Sequence, residues 1–485
     1  MISLLFNTIR HLKITQAVHQ VKYRLVKPAY KALEAPKING VEFRTEPIPR
    51  YTSLNGDCFT FLNLEYKFAG WNFTDNGMLW AYNQNYFDWL NQEGMTAEEG
   101  CKWIDRFIEE LPDNKVGLDP YPIALRSINW VKFFCKYPDT ATGERPDVLY
   151  SQLRLLEKKL EYHLLGNHLL EDAYALYIGA SYFNDNRLLN KAKTLLLNQL
   201  KEQILPDGAH YEQSPMYHCI LLDRLLDCIN IGEDKELNGY ASRMLGHLES
   251  IVWKDGSFPL LNDAAYGIAP EPQAIFDYAK RLGLVWNSIQ MKECGYRKFN
   301  AEHLEAIVDV GNIMATYQPG HTHADTFSYD LRIEGKPFVV DTGISTYNKN
   351  ERRQYERSTS AHNTVVVNGQ NSSEVWGGFR VGKRAKVKLI KDNSTEIFAS
   401  HNGFGKLCYR TFKITDEGFI VEDYYDGDAV SYIHLAEAAD LNRIQIDGAS
   451  KVDVEDCQYS VEYNRFITGK VMKIHFNGEL KYTIK

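Results

Sequence analysis

Between about residues 78 and 290, apolar residues recur at spacings of three and four. The repeat is clearest in LWAYNQNYFDWL, ALRSINWVKFFCKY, YSQLRLLEKKLEYHLL, LLEDAYALYIGASYF, LNKAKTLLLNQLKEQIL, YHCILLDRLLDCINI and YASRMLGHLESIV. That period predicts amphipathic helices. The breaks fall at turn-forming clusters such as LPDG at 205–208 and WKDG at 253–256. Successive antiparallel helices of this length predict a helical array or toroid, although no fixed-period repeat is evident. After about residue 305 the pattern becomes short β-branched and aromatic runs bounded by Gly, Asn and Asp: NIMATYQ, SYDLRIEG, KPFVVDTG, NTVVVNG, AKVKLIK, EIFASHNG, LCYRTFKIT, GFIVEDYYD and KVMKIHFNG. These predict an antiparallel β-sandwich, with a hairpin turn at EGK, 334–336. A length of 485 residues fits two domains, 1–300 and 301–485, meeting in the polar stretch GYRKFNAEH.

Composition narrows the partners. A net charge of -8 without a long basic run argues against nucleic acid. An aromatic share of 13% suits stacking on sugar rings as well as filling large cores. The eight cysteines are scattered and form no CxxC pair, so neither a disulfide framework nor a cysteine zinc site is expected. The N-terminal stretch to Pro28 reads as a basic amphipathic helix that packs on its own domain or touches a membrane surface or partner. It lacks the long apolar core of a secretory signal, and no run of about 18 or more apolar residues marks a transmembrane helix. The expected compartment is therefore cytoplasmic, with periplasmic as the alternative.

Candidate chemistry concentrates in four places. HTHAD at 321–325, if extended, points His321 and His323 to one face. Asp341 follows FVV, and His362 precedes NTVVV. His323, Asp341 and His362 could form a His-Asp-His zinc site with water as fourth ligand, or they satisfy loop backbone groups. GNHLLED places Asn167 and His168 at the head of a helix, where Asn is also a capping residue. PDGAHYEQSPMYH at 206–218 gathers His210, Tyr211, Glu212 and Tyr217 in one turn and helix start. DGSFPLLNDAAYG at 255–267 adds Asn262 and Asp263.

Taken in order, these segments resemble the heparinase II/III-like polysaccharide lyase family over nearly the whole chain. LWAYNQNYFDWL, DPYPIALRSINWVKFF, GNHLLED, DGAHYEQSPMYH and DGSFPLLND are similar to its helical-domain signatures. HTHADTFSYDL, VVDTG and RSTSAHNTVVVNG are similar to those of its sandwich domain. The resemblance implies an incomplete (α/α) toroid followed by a β-sandwich, with a cleft between them. It also implies eliminative cleavage of a uronic-acid-containing anionic polysaccharide, such as a glycosaminoglycan or alginate. It assigns Asn167, with His168 beside it, to neutralising the substrate carboxylate. Tyr217 and His321 become proton-transfer groups, and Tyr355 a second catalytic tyrosine. His323, Asp341 and His362 become ligands of a structural zinc. His210, Tyr211, Glu212, Arg353 and Arg357 are expected to contact substrate, the arginines because they pair bidentately with carboxylate or sulfate. Two other classes stay open. One is a glycoside hydrolase using two carboxylates among Glu212, Asp207 and Asp263. The other is a non-catalytic polysaccharide-binding or assembly protein of a capsule or exopolysaccharide system.

Overall fold

The computed structural model describes residues 2–485 apart from Asn39 and Glu233. Twelve α-helices among the described residues are labelled here. They are α1 (Ile2–Ile9), α2 (Ile14–Leu25), α3 (Met78–Tyr86), α4 (Ala97–Glu110), α5 (Pro120–Lys136), α6 (Arg145–Lys159), α7 (Gly166–Tyr182), α8 (Asn186–Gln203), α9 (Pro215–Gly232), α10 (Lys235–Ile251), α11 (Pro272–Arg281) and α12 (Glu351–Glu356). Each long periodic segment of the sequence forms a helix. Local chemistry sets several starts: Pro120 opens α5, where its missing N–H costs nothing. Asp185 caps α8 by accepting from the Leu188 N–H, and Thr96 caps α4 by accepting from Glu99. LWAYNQNYFDWL is the exception to continuity. Phe87 takes a left-handed conformation (φ 61°) and splits the segment into α3 and a short 3-10 turn.

The predicted single N-terminal helix is two, α1 and α2, broken over Arg10–Lys13. A three-stranded antiparallel sheet, Leu54–Asn55, Cys58–Phe61 and Leu64–Lys67, also lies inside the helical half, where no strand was expected. It packs Phe59 and Phe61 against Trp89, Trp103 and Trp80, so much of the tryptophan is core here.

Most strands of the C-terminal half join one connected 12-stranded antiparallel sheet, while Val375–Trp376 and Arg380–Val381 pair with each other separately. Two long strands, Gly418–Leu435 and Arg465–Ile484, pair with each other along most of their length. The first of them pairs with Lys406–Thr415 near its start and with Val365–Val366 and Lys336–Val339 near its end. Between those regions its register slips from Tyr425 to Asp428, around Gly427 at φ +141°. A bulge of this kind lets a strand bend from one layer into the next. The expected hairpin turns at Glu334–Gly335, both with positive φ. NIMATYQ is a loop instead of a strand; the Met314 N–H donates to Gln213 Oε1 and ties it to the helical half. The first strand is Tyr296–Asn300, so the change of architecture falls between Arg281 and Tyr296, ahead of the expected 300. GYRKFNAEH reads as polar because its strand, at a sheet edge, carries Arg297, Lys298 and Asn300 among only two aromatic residues.

Candidate active site between the helical and sheet domains

The site assembles where the starts of α7 and α9 meet loops of the sheet domain. Leu165 (φ 63°) and Gly166 (φ 60°) turn the chain sharply into α7. A Cβ on Gly166 would lie 2.5 Å from Glu212 Oε1, so only glycine fits both the backbone conformation and the contact. That close approach lets the Asn167 backbone N–H and side-chain Nδ2 donate to the two oxygens of Glu212, each at 2.9 Å. Asn167 is therefore oriented by Glu212 more than it caps a helix. Its Nδ2 also lies 3.2 Å from His321 Nε2.

His321 comes from the HTHAD segment, which is an irregular loop and not the strand expected. The same-face arrangement of the two histidines holds nonetheless, because both reach one carboxylate. His321 Nδ1 is 2.9 Å from Asp263 Oδ2, and His323 Nε2 is 2.8 Å from Asp263 Oδ1. Arg353, on α12, forks onto both oxygens of Asp263, with Nη2 at 2.7 Å. Burial works against a charge on Asp263. The Arg353 guanidinium and the hydrogen bonds from both histidines overcome it and hold the carboxyl well below the usual range. An ionised carboxylate only accepts, so the His321 proton sits on Nδ1 and the lone pair on Nε2, facing Asn167.

Tyr217, in the first turn of α9, stacks its ring on His321 with centroids 3.9 Å apart. Burial pushes its phenol above the ordinary range, so it is a neutral proton donor. Its hydroxyl lies 3.3 Å from that of Tyr347, which in turn lies 3.4 Å from His321 Nδ1. Sequence reasoning passed over Tyr347, Asp263 as an anchor, and the left-handed residues flanking them. Non-glycine residues at positive φ precede or follow three site residues: Leu165 before Gly166–Asn167, Gln213 after Glu212, and Asn262 before Asp263. Only Asn262 carries a sequence signal, since Asn tolerates that conformation; its amide bonds at long range, donating to the Gln213 carbonyl and accepting from the His323 N–H.

The other predicted residues divide. His168 sits half-buried at the edge of the site, with Nδ1 3.0 Å from Glu161 Oε2 and its ring beside Tyr121. Burial opposes its protonation, but Glu161 outweighs that and raises its pKa. Five expectations need correction. Tyr355 lies two residues from Arg353 on α12, hence on the opposite face, and lines a separate cavity of about 560 Å³ with Arg352, Tyr432 and Cys457. Tyr347 holds the place beside His321 instead. Arg353 and Arg357 are fully buried and spend their donors inside the protein, Arg353 on Asp263 and Arg357 on the Thr322 carbonyl. Burial, then the neighbouring Arg353, lowers Arg357 to about 9. His210 and Tyr211 sit behind the site, bonded to Gln203 and to Tyr317. Of the expected substrate contacts, Glu212 and Arg353 stand in the cluster, Arg353 as the partner of Asp263.

His323, Asp341 and His362 converge beneath His321. Asp341 Oδ2 is 2.7 Å from His362 Nδ1, and the two imidazole rings are 5.2 Å apart. His323 donates through Nε2, and its buried Nδ1 lone pair has no partner among the described residues, nor has His362 Nε2. Burial lowers His323 to about 4, so it is neutral. The two orphaned nitrogens are donors of the type a zinc ion takes, but Asp341 sits on the Nδ1 side of His362, away from its open Nε2. Among the described residues, the three ligand atoms found within 4.8 Å of one another belong to Asp207, His247 and Cys294, elsewhere. Asp207 there accepts the backbone N–H groups of Lys292 and Cys294 and anchors the approach to the sheet domain.

The descriptions Heparinase II/III N-terminus and Heparinase II/III-like, C-terminal match residues 148–264 and 284–468. Those two spans contain every residue of the cluster. The chain belongs to the heparinase II/III-like family. Among relatives of this family, it is 26% identical over 332 residues to a heparin-sulfate lyase of Pedobacter heparinus, covering 60% of this chain and 48% of the relative. It is 22% identical over 345 residues to a heparin-sulfate lyase of Bacteroides thetaiotaomicron, covering 57% and 46%. The chain thus spans about half the length of the curated relatives it matches. The heparinase II/III-like fold is shared with a heparinase III gene product (TM-score 0.62, 15% identity, 96% of this chain and 89% of that one). It is also shared with heparan sulfate lyase HepC from Pedobacter heparinus (TM-score 0.55, 16% identity, 97% and 87%).

Proposed function

We propose that this protein is a polysaccharide lyase that cleaves a uronic-acid-containing anionic polysaccharide by β-elimination, with heparan-sulfate-type chains as the first substrates to test. The observation that carries the reading is the His321 environment. Its Nδ1 proton is fixed on Asp263, its Nε2 lone pair faces the Asn167 amide, and the neutral Tyr217 phenol is stacked alongside. Elimination must remove the weakly acidic C5 proton and expel the C4 oxygen. In this reading Asn167 donates to the substrate carboxylate, where developing enolate charge is worth about 3–4 kcal/mol per well-placed donor. His321 Nε2 takes the C5 proton, and Tyr217 gives its proton to the departing oxygen. Tyr347 bonds to both and holds them in relation.

A hydrolase would need two carboxylates open to the scissile bond. Glu212 is held by Asn167, Asp207 by backbone amides and Asp263 by Arg353, which disfavours that class. We further propose that His323, Asp341 and His362 hold a structural zinc. The partnerless nitrogens of the two histidines support it, and the Asp263–His323 contact would orient that ligand. The test is ultraviolet absorbance from the new C4–C5 double bond, followed on a panel of uronic-acid polysaccharides with the wild type, Tyr217→Phe and His321→Ala. A rise lost in both variants is expected. No rise on any member of the panel, with polysaccharide binding retained, would move the assignment to a binding or assembly role.

A further inference from the structure

The N-terminal helices are oriented against the usual rule. α2 turns its polar side inward. Gln16 is buried and donates to the carbonyls of Leu164 and Tyr317, and Gln20 donates to that of His163. Tyr23 stacks on His163, and Lys13 pairs with Glu202. On the opposite side Ile14, Val18, Val21 and Leu25 follow the helical repeat and stand 84%, 57%, 58% and 78% exposed. Phe6 and Ile9 of α1 are exposed as well, while Asn7 and Thr8 bind Glu374 and Trp376 of the sheet domain. Nearly half of the large hydrophobic side chains that stand exposed among the described residues fall between Leu5 and Val26. A helix that buries glutamine and presents an isoleucine-valine-leucine stripe leaves that stripe for another apolar phase.

The charge around the stripe selects the phase. Arg10, Lys13, Lys22, Arg24, Lys27 and Lys31 precede the first acidic residue, Glu34, in a chain whose net charge is -8. Lys22 and Arg24 flank the stripe, about 80° to either side of its centre on a helical projection. An apolar stripe edged by cations matches an anionic lipid surface, with side chains in the acyl boundary and cations at the headgroups. We propose that α1 and α2 form an in-plane anchor that seats the protein on an anionic lipid bilayer. The inward glutamines hold the anchor to both domains, so the whole molecule is carried with it. This rests on the N-terminal helices alone and is independent of the lyase reading.

Flotation of the full chain with phosphatidylcholine vesicles, with and without phosphatidylglycerol, tests it. Binding to the phosphatidylglycerol vesicles is expected, weakening with added salt. It should fall about tenfold or more in Ile14→Gln/Val18→Gln/Leu25→Gln and in Lys22→Glu/Arg24→Glu, because both apolar burial and charge contribute. All five substituted positions are on the outer face, and unchanged thermal melting would confirm that the variants fold. No binding by the wild type, or binding equal in wild type and variants, overturns the proposal. So does a dimer that the apolar variant dissolves while vesicles are ignored, which would assign the stripe to a second copy. Capture of a soluble anionic polysaccharide through Lys22 and Arg24, without vesicle binding, would overturn it in favour of a sugar-binding face.

Discussion

The two walls of the site are built differently. On the helical wall, Asn167, Glu212 and Tyr217 stand at helix starts and turns, and their mutual contacts involve segments 45 residues apart along the chain. On the sheet wall, His321, Tyr347 and Arg353 come from irregular loops and a six-residue helix. His321 and Arg353 are oriented by a residue of the opposite wall: Asp263, on the helical side, receives His321, His323 and Arg353 at once. The histidine's working tautomer is thus a property of the domain junction and of neither domain alone.

The severest way to break this arrangement is Asp263→Asn. An amide cannot neutralise the fully buried Arg353, so stability should drop by about 3–5 kcal/mol in urea titration. Turnover should fall on the order of 10³–10⁴-fold, because the histidine tautomer is no longer enforced. A variant with near-normal turnover would show that the junction does not set the His321 tautomer. His321→Ala and Tyr217→Phe separate the walls, since each removes one proton-transfer group without uncovering a buried charge. Losses of about 10²–10⁴-fold in kcat are expected, with melting temperature little changed. Comparable losses would mean that acid and base contribute alike across the cleft.

Two tyrosines sharpen the picture further. Tyr347→Phe removes the hydroxyl that bonds Tyr217 and His321 and should cost about tenfold in kcat, the worth of roughly one hydrogen bond. Tyr355→Phe, on the far face of α12, should leave kcat unaltered; the reverse result would put the second tyrosine where the family resemblance had it. The smallest effect concerns the helical wall alone. Glu171 lies one turn beyond Asn167 and is buried, and burial raises its carboxyl to about 7 despite the nearby Arg224. Because the folded state holds this proton more tightly, its contribution favours folding at low pH and is lost as pH rises towards 7. Glu171→Gln should therefore gain stability relative to the wild type at pH 8 and lose that advantage at pH 5, measured by denaturant midpoints.

Much of this was legible from the chain. The helical periods placed α5 to α10, and the β-branched runs placed most strands, because both signals are local. Asn167, Tyr217 and His321 stood out because titratable and aromatic groups clustered in loops between apolar helices or strands. The reading failed where the deciding contact was distant. Arg353 and Arg357 look like anion receptors in sequence, since only folding shows that Asp263 and the Thr322 carbonyl already consume their donors. The family resemblance points to Tyr355 and leaves Tyr347 unconsidered, because spacing cannot say which face of a short helix meets the cleft. The α2 stripe was read as amphipathic, but its orientation was not: hydrophobicity gives the face, and only the hydrogen bonds of Gln16 and Gln20 show that the apolar side is outward. The sequence by itself determined most of the long helices and strands, the family and the types of chemical group available. The tertiary structure decided their partners, because a buried charge or lone pair takes its role from what lies within about 3 Å of it, and those neighbours come from residues far along the chain.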